Sequence, residues 1–155
     1  MIIKNLYIFF ISQVNLMEYI IYISYMPNCT NEKILLLIDT FQRNNLLYNI
    51  TGILLYNEGN VIQYIEGNKH NVRELFNNIL YDNRHIQIIK LLQNQITIRN
   101  FPDWSMSLFD CNNNIHKTYF NNFMNISYNI NLTNDKKINK LLILFKQLAL
   151  DNIKL

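Results

Sequence analysis

The apolar positions of this chain fall into short blocks that are apolar on both faces and longer stretches with helical spacing. Glu18–Met26 is β-branched and aromatic at successive positions, which favours a fully buried strand. Ile50–Tyr56 and Val61–Gly67 have the same character and are separated by the turn sequence of residues 57–60. Gly59 can supply the positive φ that such a turn needs, so these two blocks are predicted to form a hairpin.

Three stretches have the spacing of amphipathic helices. The first covers 31–47, where Asn31 is the expected N-cap, and the second follows Asn68, which is the expected cap there. The third covers about 134–150 and carries lysines away from its apolar stripe. Residues 111–133 are rich in asparagine, and a short helix with a loop is expected there.

Two further strands are predicted, at 86–98 and 104–109, and they complete the order β-α-β-β-α-β-β. This order predicts an α+β fold with a ferredoxin-like sheet, in which the first strand lies beside the third and two helices cover one face. Because the other face is also apolar, we expect a C-terminal helical cap there, or a dimer partner that shares this role. Strict alternation would place Trp104, Met106 and Leu108 on one face of the last strand.

The predicted domain organisation has three parts: an N-terminal extension at 1–16, one domain at 17–110 and a C-terminal helical segment at 111–155. The apolar run in the extension is only six residues long, shorter than a signal peptide requires. An alternative is that Met17 is the natural start, since the orderly pattern begins there.

Composition and charge exclude several classes of protein. Half of the residues are apolar and 16% are charged, so the chain is globular. The net charge of +3 divides into −1 over 1–110 (8 basic, 9 acidic) and +4 over 111–155 (6 basic, 2 acidic), too sparse to predict nucleic-acid or membrane binding. Cys29 and Cys111 read as reduced thiols in a cytoplasm, and the histidines lack metal-ligand spacing.

One polar residue stands in an apolar block. Gln63 lies in V-I-Q-Y-I and faces the same side of the predicted sheet as Tyr22. A buried carboxamide is costly unless it is hydrogen bonded, so Gln63 either satisfies a loop or a sheet edge, or forms a polar pair with Tyr22 aimed at a ligand between the two helices. Asn44 and Asn45 could add amide groups, although asparagine is abundant in this chain.

Five motifs occur in a fixed order along the chain. They are Y-I-S at Tyr22–Ser24, QRNN-x4-ITG-x-LLY at Gln42–Tyr56, V-I-Q-Y-I-E-G at Val61–Gly67, D-x-R-H at Asp82–His85 and F-P-D-W-S-M at Phe101–Met106. Together they resemble the BLUF family, the blue-light sensors that use FAD, over about 90 of the 155 residues.

The resemblance implies a mechanism and a set of site residues. A non-covalently bound FAD would lie between the two helices, Tyr22 would lend an electron and a proton to the photoexcited flavin, and Gln63 would end up rotated or tautomerised. Trp104 and Met106 match a pair that relays the change at the flavin to the rest of the protein in the family. The alternative for both residues is ordinary core packing. The implied cofactor contacts are Tyr22, Asn44, Asn45, Gln63, Arg84 and His85.

The expected protein is therefore a short cytoplasmic photoreceptor, not an enzyme, that signals through a partner protein or a homo-oligomer. One alternative is a flavin-binding interaction module without light signalling. The other is a reductase of small substrates, for which no hydride-donor site is evident in the sequence.

Overall fold

The structure, a computed structural model, describes residues 16–111, 114–129, 131 and 133–153. The predicted extension at 1–16 lies outside them except for Leu16. The strands are β1 Met17–Tyr25, β2 Ile50–Asn57, β3 Asn60–Asn68, β4 Ile86–Ile96 and β5 Ser107–Asp110. The helices of the described residues are α1 Asn31–Leu47, α2 Lys69–Leu80, α3 Asn114–Tyr128 and α4 Asn134–Ile153.

The five strands form one mixed sheet in the order β4-β1-β3-β2-β5. β1 runs antiparallel to both β3 and β4, β2 and β3 form an antiparallel hairpin, and β5 lies parallel to β2. This is the ferredoxin-like arrangement that the element order predicted, with β5 added at the edge. The adjacency of β1 and β3 positions the candidate site.

The hairpin between β2 and β3 closes through a two-residue turn. Glu58 and Gly59 have φ angles of 47° and 85°, and Asn57 pairs with Asn60 across the turn. Two successive positive φ angles define a type I′ turn, whose twist matches that of the flanking strands. The prediction for Gly59 is confirmed, and Glu58 shares the unusual backbone conformation.

The sheet is covered on both sides, as predicted. We call the side under α1 and α2 the helix face and the side under α3 and α4 the cap face. The buried core of the helix face contains Ile20, Tyr22, Ile34, Ile38, Leu54, Val61, Ile65, Val72, Phe76 and Met106. The buried core of the cap face contains Tyr19, Ile21, Ile53, Ile62, Tyr64, Phe101, Phe109, Phe120, Phe123, Leu141, Phe145 and Leu148.

Two helix predictions need correction. Thr30, not Asn31, caps α1, because its Oγ1 accepts a hydrogen bond from the Lys33 N–H at 3.3 Å. Within 111–133 the structure has the fifteen-residue helix α3 rather than a short one. The cap predicted for α2 is confirmed, since Asn68 Oδ1 accepts from the His70 N–H at 2.9 Å.

The prediction that Trp104, Met106 and Leu108 share one face is wrong. The last strand begins at Ser107, and Met106 and Leu108 pack on the helix face. Trp104 packs on the cap face, where its ring stacks on Phe109 with centroids 5.8 Å apart.

Trp104 lies on the opposite face from Met106 because residues 104–106 precede β5 and are not part of a strand. The Gly52 N–H donates to the Trp104 carbonyl at 2.7 Å, so this segment is held by β2 before the parallel pairing begins. A Cβ at Gly52 would collide with the carbonyl oxygen of Tyr64, so only glycine allows β2 to lie this close to β3 at that point. Alternation of side chains applies to pleated strands and fails across such an irregular segment.

Candidate functional site

Tyr22 and Gln63 face each other across β1 and β3. They are directly paired in the antiparallel register, and the Tyr22 hydroxyl donates a hydrogen bond to Gln63 Oε1. Tyr22 is fully buried and Gln63 is 6% exposed. Burial, together with the nearby negative charge of Asp82, raises the pKa of Tyr22 far above its ordinary value of 10. Tyr22 is therefore a neutral hydrogen-bond donor at any physiological pH.

The amide nitrogen of Gln63 has a weak acceptor. Within the described part of the chain, Nε2 donates to Met106 Sδ at 3.4 Å. A thioether sulfur accepts hydrogen bonds poorly compared with a carbonyl oxygen or a ring nitrogen. Gln63 thus accepts a hydroxyl bond at its oxygen and makes only a weak bond at its nitrogen, so a ligand acceptor would compete well for its N–H.

A cavity of about 540 Å³ opens between the first half of α1 and the loop after α2. Its size is in the range of cofactor sites. Met26 links it to the core around Tyr22, although neither Tyr22 nor Gln63 lines it. Lys33 brings positive charge to its wall, and Arg84 brings a guanidinium that is paired with Asp82. The principal lining residues are Met26, Cys29, Lys33, Leu37, Asn83 and Arg84.

The loop after α2 carries two predicted contacts. The Arg84 Nε donates to both carboxylate oxygens of Asp82 at 2.9 Å, and its guanidinium lies 5.9 Å from the Phe41 ring centre. His85 Nδ1 is hydrogen bonded to Ser24 Oγ at 2.9 Å. Burial lowers the pKa of His85 below 6.5, helped by Arg84 and opposed by Asp82, so the ring is neutral at pH 7.

The two asparagines at the end of α1 differ. Asn45 is buried, and its Nδ2 donates to the Ser105 carbonyl at 3.0 Å. Asn44 is exposed on the surface of α1. The structure therefore brings Tyr22 and Gln63 together, links His85 to β1, places Arg84 at the cavity and Asn45 in the core, and leaves Asn44 outside.

Sequence reasoning missed three residues at this site. Gln42 Nε2 donates to the Met106 carbonyl at 2.9 Å, while Cys29 and Lys33 line the cavity. Gln42 lies three positions before Asn45 and so shares its helix face, a signal that could have identified it. Cys29 and Lys33 belong to no strong periodic pattern.

Over the part of the chain that the structure describes, no cluster of three or more His, Cys, Asp or Glu side chains could hold a metal ion. No helix among the same residues is long and apolar enough to cross a membrane.

Comparisons with known proteins agree with this geometry. The family model described as BLUF, sensors of blue-light using FAD, matches residues 17–107. A comparison with curated proteins found no significant match.

Three solved structures illustrate the structural similarity. The dark state of BlrB, a BLUF protein, is 28% identical with a TM-score of 0.67, covering 86% of this chain and 97% of its own. A bacterial light-regulated adenylyl cyclase is 33% identical with a TM-score of 0.62, covering 68% of this chain. Klebsiella pneumoniae BlrP1 with FMN and cyclic diGMP is 29% identical with a TM-score of 0.57, covering 61% of this chain.

The chain spans 33% of the cyclase and 26% of BlrP1, whereas it spans nearly all of BlrB. The family match covers more than half of the 155 residues and includes both strands of the Tyr22–Gln63 pair. This chain belongs to the BLUF family, the sensors of blue light that use FAD.

Proposed function

We propose that this protein is a blue-light receptor that binds FAD non-covalently on the helix face. The observation that carries the proposal is the buried Tyr22–Gln63 pair, in which the hydroxyl donates to an amide oxygen and the amide N–H is bound only to a sulfur among the described residues. A pair that served packing alone would be expected to satisfy its donors with oxygen acceptors.

The residues present suit a flavin nucleotide. Gln63 and Asn45 offer amide groups to a ring that carries carbonyl and nitrogen acceptors, while Arg84 and Lys33 offer positive charge to phosphate groups. His85 would help to line the site from the β1 side. A role for Asn44 would require its side chain to turn inward, and it stays a prediction.

A bound flavin supplies absorption of blue light and an oxidising excited state. Tyr22 is the phenol that is hydrogen bonded to Gln63, so it can release an electron to that excited state while its proton moves along the existing hydrogen bond to Gln63 Oε1. When both return to Tyr22, no net reaction has occurred. Gln63 can be left with its amide reversed, because its two ends differ in donor and acceptor character.

The test is a visible absorption spectrum of the FAD-loaded protein in the dark and after blue light. We expect a small, reversible red shift in the wild type and none in Tyr22→Phe. Tyr64→Phe is the matched control, since Tyr64 is equally buried but lies on the cap face. FAD that binds without a shift would favour the alternative, an interaction module without light signalling. Absence of FAD binding would overturn the proposal.

The position of the cofactor can be tested separately with a thiol reagent. Cys29 lines the cavity and is partly exposed, whereas Cys111 is fully buried on the cap face. FAD should slow the reaction of Cys29 with a maleimide, and Cys29→Ser should remove that reaction. Competition between FAD and FMN in the same assay decides which flavin is preferred. We propose FAD, because the Lys33 and Arg84 charges suit its diphosphate.

The output is proposed to leave through the cap face, to a partner protein or to a second copy in the cytoplasm. α4 packs on the sheet through Phe145, whose ring lies 5.5 Å from that of Tyr64, the residue next to Gln63. Hydrogen exchange of α4 amides in the dark and in light tests this route. Equal exchange rates in the two conditions would contradict it.

A further inference from the structure

Three successive carbonyl groups just before β5 accept hydrogen bonds from three separate donors. The Trp104 carbonyl accepts from the Gly52 N–H at 2.7 Å, and the Ser105 carbonyl accepts from Asn45 Nδ2 at 3.0 Å. The Met106 carbonyl accepts from Gln42 Nε2 at 2.9 Å. One bond comes from the sheet and two come from α1, so this segment is fixed between a strand and a helix.

The two donors on α1 lie one helical turn apart. Gln42 and Asn45 are related by i and i+3, which places both side chains on the side of α1 that meets the segment. Asn45 belongs to the proposed cofactor contacts and Gln42 does not. Gln42 is therefore the donor on α1 that can remain on the segment when a flavin is bound.

Met106 cannot fix its own position beside Gln63. A methionine side chain has three rotatable bonds, and its thioether is a weak acceptor. Its Sδ nevertheless lies 3.4 Å from Gln63 Nε2, with the residue 1% exposed. The backbone of Met106 must supply the precision, and this backbone is held by Gln42 from the helix side.

We infer that Gln42 is a positioning residue for the light response, because its amide holds the Met106 backbone and so keeps the Met106 sulfur at the Gln63 amide. This inference rests on the proposed function for its role in light, whereas the anchoring itself is a property of the protein alone. Gln42 reaches neither Tyr22 nor Gln63 through any hydrogen bond of the described residues.

The test variant is Gln42→Met, which keeps the length of the side chain and removes the donor. Arg43→Met is the matched control, because Arg43 is exposed and its contact is with Thr40 in the same helix. Gln42→Lys restores a donor at the same position. Loss of one hydrogen bond corresponds to roughly a five-fold change in a rate or an equilibrium.

The first readout needs no flavin. Trp104 is the single tryptophan of the chain and lies in the anchored segment. We expect its emission in Gln42→Met to be quenched by acrylamide several times more efficiently than in the wild type, and Arg43→Met to match the wild type. Unchanged quenching in Gln42→Met would overturn the inference whether or not the protein binds FAD.

The second readout is the return to the dark spectrum after illumination. The structure places Met106 Sδ 3.4 Å from Gln63 Nε2, so loosening the Met106 backbone should slow the return of the Gln63 amide to its dark position by roughly five-fold while leaving the size of the red shift unchanged. Gln42→Lys should recover like the wild type. Unchanged or faster recovery in Gln42→Met would overturn the inference, as would loss of the shift, which would place Gln42 at the reacting groups. If Gln42→Met does not fold, a slowed recovery in Gln42→Lys overturns it and a normal one supports it.

Discussion

Two buried tyrosines on opposite faces of the sheet differ in how their partners are satisfied. Tyr22 on the helix face donates to Gln63, and Tyr64 on the cap face donates to Glu66 Oε2 at 2.9 Å. Both hydroxyls are shielded from water, and burial raises the pKa of each phenol far above 10. The two acceptors differ in their other hydrogen bonds. The Gln63 amide donates only to the Met106 sulfur among the described residues, whereas the Glu66 carboxylate accepts from a hydroxyl and two backbone N–H groups as well.

Glu66 is fully buried, and its carboxylate accepts four hydrogen bonds from the described residues. Besides Tyr64, its donors are Thr51 Oγ1 at 3.3 Å and the backbone N–H groups of Asn100 and Phe101 at 2.8 and 2.6 Å. These bonds tie β2 and β3 to the segment that leads toward Trp104. A saturated network in a low-dielectric interior is rigid, and an under-satisfied pair can rearrange. The comparison identifies the cap-face network as an anchor and the helix-face pair as the part that can switch.

The largest expected effect is a difference in unfolding free energy between a substitution on the cap face and one on the helix face. Glu66→Leu leaves four donors, most of them buried, without their acceptor, so we expect it to lower the free energy of unfolding by roughly 4 kcal/mol. Gln63→Leu leaves only the Tyr22 hydroxyl without its acceptor, so it should lower the free energy of unfolding by roughly 1–2 kcal/mol. Urea unfolding of both variants measures the difference. Equal losses would contradict the division into an anchor and a switch.

The second prediction compares the two tyrosines directly. Tyr64→Phe removes a bond to a buried carboxylate and one from Asn100 Nδ2, so it should cost roughly 2–3 kcal/mol, against about 1 kcal/mol for Tyr22→Phe. Urea unfolding checks these values. Light sensitivity should follow the opposite order, with the red shift lost in Tyr22→Phe and kept in Tyr64→Phe. A shift that disappears in both variants would break the comparison.

The helix-face half of this comparison, the pairing of Tyr22 with Gln63, could be predicted from the sequence. Alternation along two apolar strands placed Tyr22 and Gln63 on one side, and the ferredoxin-like order made their strands neighbours, which the register confirms. Helical spacing also identified the C-terminal helix that covers the cap face. These predictions succeeded because they depend on periodicity within regular elements.

The cap-face network could not be predicted in the same way. Glu66 appears in sequence as an ordinary acidic residue near the end of a strand, and its backbone donors are 34 and 35 positions away. The prediction that Trp104 shares a face with Met106 and Leu108 fails because residues 104–106 are not a strand, and their backbone is bonded to Gly52 instead. Long-range bonds to irregular backbone leave no periodic signal.

The third prediction uses a second buried carboxylate, Glu18 on β1, whose partners are side chains instead of backbone groups. Burial alone would raise the pKa of Glu18, but hydrogen bonds from Arg73 at 2.8 and 2.9 Å and from Gln93 at 2.7 Å outweigh it and hold this pKa below 4.5. A lowered pKa stabilises the fold above 4.5, and this contribution is lost as the pH falls through the folded-state value.

Because Arg73 is half-exposed, the contribution of this pair should be about 1 kcal/mol or less. Urea unfolding of the wild type and Glu18→Gln between pH 6 and pH 3 measures it. The advantage of the wild type should shrink toward pH 3, and 1 M salt should reduce it at pH 6. A difference in unfolding free energy that does not change with pH would show that Glu18 stabilises the fold through packing and not through its charge.

The smallest effect concerns His85, which joins the helix-face loop to Ser24 two residues beyond Tyr22. Burial lowers the pKa of His85 below the unfolded value of 6.5, so the unfolded chain binds a proton more readily than the folded protein does. The stability that follows is present above pH 6.5 and is lost as the pH falls below it. Unfolding free energies of the wild type and His85→Gln at pH 7.5 and 5.5 measure this loss, with exposed His70→Gln as the control. We expect the advantage of the wild type over His85→Gln to shrink by under about 1 kcal/mol between pH 7.5 and pH 5.5, and His70→Gln, which keeps His85, to lose stability as the wild type does. If acid instead slowed dark recovery without changing stability, His85 would belong with the switching pair and the helix face would respond to pH as well as to light.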